Sequence, residues 1–104
     1  MERASGGDPR RALVYGLAVA GRSTVRALRR RDVEVVVADD RVDDDTRRAA
    51  DELGVELVDS PDVDRLTQLL GSVDLYAPAP GIPEDHRSIV LALALGVDGA
   101  SEVA

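Results

Sequence analysis

The sequence predicts an α/β domain: a doubly wound, five-stranded parallel sheet with helices on both faces. The first observation is spacing. Four apolar, β-branched runs, "ALVY" (12–15), "VEVVVA" (33–38), "VELV" (55–58) and "VDLYA" (73–77), are followed by a weaker one beginning at Val97. Their starts lie 21, 22, 18 and 24 residues apart, which leaves room for one helix and two short loops between each pair. The second observation is that the intervening segments carry helical periodicity. Strands joined by helices run parallel, and right-handed crossovers place the helices on both faces.

Each helix justifies itself in turn. Over 22–31, Gly21, Val25 and Leu28 share a face while Arg22, Arg26, Arg29 and Arg30 point elsewhere. Over 45–53, Ala49, Ala50 and Leu53 repeat at helical spacing after the acidic start Asp43, Asp44 and Asp45, which suits the positive end of the helix dipole. Over 62–70 the stripe is Val63, Leu66, Leu69 and Leu70. The helix at 85–95 differs, because "IVLALAL" is apolar all round; such a helix packs on the sheet with alanine gaps or docks a second surface. Residues 1–11 read as a flexible leader, and 12–104 as one domain resembling the first domain of a longer chain.

Composition narrows the function classes. The chain has 104 residues, net charge −7, no Cys, no Phe, no Trp and two Tyr. That balance argues against a nucleic-acid face or an anionic membrane surface, and the missing aromatics argue against base-stacking platforms. Without Cys there is no thiol chemistry and no cysteine metal site, in keeping with a cytoplasmic location. No apolar run approaches the roughly 20 residues of a membrane span, and the first residues lack a secretory apolar core.

The stretch "GLAVAGRST" (16–24) carries the ligand question. It fits a phosphate-binding P-loop except that Arg22 stands where lysine is required. It also nearly fits the dinucleotide fingerprint, with Gly16 and Gly21 in place, Ala18 where the second glycine belongs, and Asp39 at the end of strand two where a ribose-binding acid is expected. A helix N-terminus also suits a diphosphate carried by some other molecule, and a tight turn binding nothing fits as well. Two further strand ends are unusual. Asp39 and Arg41 of "ADDR" can flank a base, one accepting and the other donating. Pro78, Pro80 and Pro83 of "APAPGIPEDH" (77–86) make that segment rigid. His86, the single histidine, reads as a surface or capping residue, and neither a catalytic set nor a metal cluster emerges.

Together "YGLAVAGRST", "ADDR" and "APAPGIPEDH" resemble the amino-terminal domain of the Mur ligase family, most closely the member that adds D-glutamate. That family carries G-L-G-x-[ST]-G-x-S after strand one, D-x-R after strand two, S-P-G-I-P…H after strand four, and G-[DE]-x-E after strand five. The likeness covers residues 12 to 102. It implies a Rossmann-like domain that holds the UDP moiety of UDP-N-acetylmuramoyl-L-alanine within a cytoplasmic peptidoglycan-precursor ligase. Ala18, Val19, Ala20, Gly21 and Arg22 would lie against the diphosphate. Asp39, Asp40 and Arg41 would face the uracil, and Ala79, Pro80 and Gly81 would close the other side. ATP, magnesium, D-glutamate and the catalytic residues would belong to central and carboxyl-terminal domains. The implied reaction activates the alanyl carboxylate as an acyl phosphate with release of ADP, and this domain alone would be inactive. The sequence departs from the pattern at Ala18, Ala20 and Ala79, each of which removes a glycine or a hydroxyl. Arg22 is placed to compensate as a phosphate donor. An NAD-binding Rossmann domain and a structural domain without a ligand remain the alternatives.

Overall fold

The computed structural model describes residues 9–99. Within them β1 (Arg11–Tyr15), α1 (Val19–Arg30), β2 (Glu34–Asp39), α2 (Asp44–Leu53), β3 (Glu56–Asp59), α3 (Val63–Gly71), β4 (Leu75–Pro78) and α4 (Arg87–Leu95) alternate along the chain. The strands form one parallel sheet in the order β3-β2-β1-β4. The chain winds outward from β1 to β3 and then crosses back to lay β4 on the other side of β1. The strand order therefore reverses between β1 and β4.

Alternation along the strands builds two cores. Leu13, Tyr15, Val36, Ala38 and Tyr76 face Leu66, Leu69 and Leu70 of α3 and Ile89 and Ala92 of α4. Ala12, Val14, Val35 and Val37 face Val25 and Leu28 of α1 and Ala49 and Ala50 of α2. Helices thus cover both faces, two to each, as the spacing predicts.

The described residues hold four strands rather than five. The run from Val97 contributes one parallel bridge, Asp98 to Leu75, with the Tyr76 amide donating to the Asp98 carbonyl at 2.9 Å. Two residues on, the next outward-facing rung of β4 falls on Pro78, which has no N–H to give. Residues 1–8 of the expected leader and 100–104 at the far end lie outside the described residues, although Arg11, assigned to the leader, opens β1.

Two helix faces also differ from expectation. Val63, placed in the apolar stripe of α3, is 53% exposed because it occupies the first helical position, a turn before the stripe meets the sheet. In α4 only Ser88, Ile89 and Ala92 are buried, while Val90, Leu93 and Leu95 are about half exposed.

Caps mark the helix starts. Asp43, Asp62 and His86 each accept a backbone N–H of the first turn of α2, α3 and α4. Replacing Asp62 by alanine is expected to cost about 1 kcal/mol, read as a lower urea midpoint with unchanged slope.

Candidate functional site

Where strand order reverses, the connections that leave the carboxyl ends of β1 and β4 pass to opposite faces of the sheet, and this crevice is the ordinary ligand position in open parallel sheets. Three segments meet there. The first is the turn after β1, tighter than the sequence suggests: α1 begins at Val19, so Val19, Ala20 and Gly21 form its first helical turn. Gly16 adopts φ +100°, and a Cβ on Gly21 would stand 1.9 Å from the Gly16 carbonyl oxygen. The glycine at 21 thus exists for backbone packing, whatever the ligand. Ala18 caps α1 without a side-chain hydrogen bond, and no acidic residue occupies the first turn. Among the described residues the Val19, Ala20 and Gly21 amides have no acceptor, so α1 presents free donors and a positive dipole end.

The second segment is the turn after β2. Both carboxylates there are engaged by donors of the protein itself. Asp39 accepts the Leu17 amide at 2.8 Å on one oxygen and the Arg41 amide at 2.9 Å on the other, tying the first turn to the second. Asp40 accepts from the Tyr15 hydroxyl at 2.5 Å, Arg87 Nη2 at 2.8 Å and His86 Nε2 at 2.8 Å. Arg41 is exposed, and its guanidinium makes no ion pair or hydrogen bond among the described residues. Arg22 is occupied: its Nε donates to the Leu17 carbonyl at 3.1 Å and its Nη2 pairs with Asp45 at 3.0 Å.

The third segment follows β4. The Ala79 amide donates to the Tyr15 carbonyl at 2.9 Å, and Ala79 is buried against the glycine turn, its Cβ 3.1 Å from where a Cβ on Gly16 would lie. Pro80 and Gly81 are exposed beyond it. A groove of about 550 Å³ runs along the outer side of the same segment, between β4, Ile82 and Glu84. The predicted residues are therefore brought to one edge, but with different tasks. Ala18–Gly21, Arg41 and Ala79–Gly81 bound the crevice, whereas Arg22, Asp39 and Asp40 bind the protein to itself.

A cluster that the sequence analysis did not assemble stands behind the site. His86 accepts the Ser88 amide on Nδ1 at 3.1 Å, which requires the lone pair there and places the ring proton on Nε2, facing Asp40. The His86 ring meets Tyr15 edge-on at 4.8 Å. The Ser88 hydroxyl touches His86 Nδ1 at 2.7 Å and the Tyr76 hydroxyl on its other side. Tyr76, Ser88, His86 and Asp40 thus form one string with the order of a nucleophile–histidine–acid set. Ser88 is fully buried and hydrogen-bonded on both sides, so no substrate reaches its oxygen and the string is structural. No signal in the sequence announces it, since Tyr15, Asp40 and Arg87 are joined only by strand order.

Electrostatics follow from these contacts. Burial works against the charge on Asp40, but the hydrogen bonds from Tyr15 and His86 and the Arg87 cation outweigh it, holding the carboxyl below its ordinary range. Burial, then the bond to Asp40 and that residue's charge, push the Tyr15 phenol upward. Burial pushes Tyr76 up to about 12. Asp43 is held low by the Thr46 amide and hydroxyl. Carboxylates with depressed folded pKa values stabilise the fold fully above the unfolded value of roughly 4, and the gain is lost as pH falls through the folded value. Asp40→Asn is expected to flatten the acid limb of a stability–pH curve below about pH 4, measured by urea titration at a series of pH values.

No protein-family model matches the chain. Over 97 residues it is 32% identical to the UDP-N-acetylmuramoylalanine–D-glutamate ligase of Alkaliphilus metalliredigens, covering 90% of this chain and 21% of that protein. The chain is a sequence relative of the Mur ligases. It spans about a fifth of the length of the ligase it matches, in keeping with an amino-terminal domain. Among solved structures it is similar to L-tryptophan dehydrogenase from Nostoc punctiforme, with TM-score 0.57 and 25% identity over 82% of this chain and 24% of that one. It is also similar to glutamyl-tRNA reductase from Methanopyrus kandleri, with TM-score 0.58 and 26% identity over 85% and 22% of the two chains. Both likenesses agree with a Rossmann-like α/β fold. Among the described residues no helix is long and apolar enough to cross a membrane.

Proposed function

We propose that this Mur-ligase-like domain binds the UDP moiety of UDP-N-acetylmuramoyl-L-alanine, as part of a cytoplasmic ligase that adds D-glutamate to it at the expense of ATP. The observation that carries the reading is the division of labour at the strand ends. Free amides of Val19–Gly21 and the unpaired Arg41 guanidinium offer donors only, and a nucleoside diphosphate offers acceptors. The diphosphate lies on the α1 N-terminus. Arg41 donates to a uracil carbonyl, and the Ala79–Gly81 backbone closes the crevice opposite. Arg22 secures the first turn through Leu17 and Asp45 rather than reaching a phosphate. The missing hydroxyls at Ala20 and Ala79 each remove a hydrogen bond to a charged acceptor, worth roughly 1.5–3 kcal/mol, so the domain alone binds UDP more weakly than a chain carrying them. ATP and magnesium are assigned to the other domains of the ligase, and no residue here is assigned to them.

A second reading, an NAD-binding domain, draws on the two oxidoreductase neighbours. One observation weighs against it. The Asp39 carboxylate already receives a backbone amide on each oxygen, where a dinucleotide site would need it for ribose hydroxyls. Calorimetric titration of the 104-residue chain with UDP and, separately, with NAD decides between them. Heat with UDP alone supports the ligase reading, and heat with NAD alone overturns it.

A further inference from the structure

We propose that Asp40 is a positioning residue. Its carboxylate latches the turn that carries Arg41 to the segment Ala79–His86, and it meets no ligand itself. The inference concerns the same strand-end site as the UDP reading and rests on that reading only for its ligand arm.

The two loops that bound the crevice belong to opposite sides of the reversal point, and no ladder joins them. Ala79 is fixed at its own end by the Tyr15 carbonyl. From there the segment's backbone hydrogen bonds are local, Ile82 amide to Ala79 carbonyl at 3.2 Å and His86 amide to Pro83 carbonyl at 3.0 Å, with the Ile82 side chain packed on the core. Its far end is joined to the turn after β2 through His86 and Arg87. Both close on Asp40, each at 2.8 Å, and Arg87 also reaches the Pro61 carbonyl at 3.2 Å. The ring of His86 is pinned on its other nitrogen by Ser88 and against its edge by Tyr15, and its side chain is only 12% exposed. Asp40 is anchored in turn by the Tyr15 hydroxyl and, through its carbonyl, by the Ser60 hydroxyl at 3.1 Å. One carboxylate therefore collects donors from β1 and from the start of α4 while sitting one residue before Arg41. Its oxygens are engaged by three donors, which leaves it poorly disposed to accept from a base.

Hydrogen exchange of the ligand-free 104-residue chain, compared among wild type, Asp40→Asn, His86→Ala and His86→Gln, tests the latch. Asparagine turns a donor toward His86 or Arg87, and alanine removes the ring. Exchange at the Ile82 and His86 amides is expected to quicken at least tenfold in both, with Val14 and Val37 in the central strands within about twofold of wild type. Glutamine, whose amide can still donate toward Asp40, is expected to restore most of the protection. Unchanged exchange at Ile82 and His86, or an equal rise at Val14 and Val37, overturns the proposal. In the ligand arm, UDP and inorganic diphosphate are titrated separately. A positioning role predicts that Asp40→Asn weakens both by the same factor. Loss of UDP affinity with diphosphate binding unchanged would place Asp40 on the uridine and overturn it. Wild-type protein that binds no UDP removes the UDP reading alone, and the exchange result still decides the latch.

Discussion

Gly21→Ala is expected to destabilise the domain by about 3 kcal/mol or more, an effect of the overpacking class. The added Cβ would stand 1.9 Å from the Gly16 carbonyl oxygen and 3.0 Å from its carbonyl carbon. Neither atom belongs to a flexible side chain. Gly16 is itself fixed by its amide bond to the Ala38 carbonyl at 2.7 Å and by Ala79 beneath it, so the turn cannot retreat without opening the β1–β2 edge. In a domain of this size the melting temperature should fall by more than about 10 °C. Gly71→Ala is the matched control. It lies at the end of α3 with nothing within 4 Å of a new Cβ, and the lost unfolded-state entropy should stabilise by roughly 0.5 kcal/mol. Equal effects at the two positions would mean that the close approach at Gly21 is not real.

Arg41→Ala is expected to weaken UDP binding roughly ten- to hundredfold, the value of one or two donor bonds to polar or charged acceptors. Stability should stay within about 0.5 kcal/mol of wild type, because the exposed guanidinium makes no hydrogen bond or ion pair among the described residues. Arg22→Ala should behave in the opposite way, since it removes the Leu17 and Asp45 contacts and costs stability before affinity. Calorimetry paired with urea unfolding separates the two. Unchanged UDP affinity in Arg41→Ala would remove the side chain from the site.

Much of the fold was legible because its signals are local. β-branched runs at regular intervals mark the strands, and Val25, Leu28, Leu66, Leu69 and Leu70 mark inward faces by simple periodicity. Of the expected fifth strand the described residues keep only the Asp98–Leu75 bridge, and apolar spacing does not register that Pro78 lacks a donor at the outer edge of β4. Val63 was misplaced because a stripe does not reveal where a helix first reaches the sheet. The site was legible as a set of positions and much less as a set of roles. "ADDR" announces two acids and a base at a strand end, but their directions depend on partners 22 to 47 residues away. Leu17 takes Asp39, while Tyr15, His86 and Arg87 take Asp40, and only the strand order brings these together. Arg22 looked like a free cation because Asp45 is 23 residues distant in the chain.

The central claim is that three strand-end segments form one UDP site whose donors are the α1 amides and Arg41. An NMR titration of the 104-residue chain with UDP, followed residue by residue and repeated with NAD, tests it most directly. The account predicts that UDP shifts Ala18–Gly21, Arg41 and Ala79–Gly81 together along one binding curve, while NAD leaves them in place. Shifts with NAD and none with UDP, or UDP shifts confined to residues away from the reversal point between β1 and β4, would contradict it.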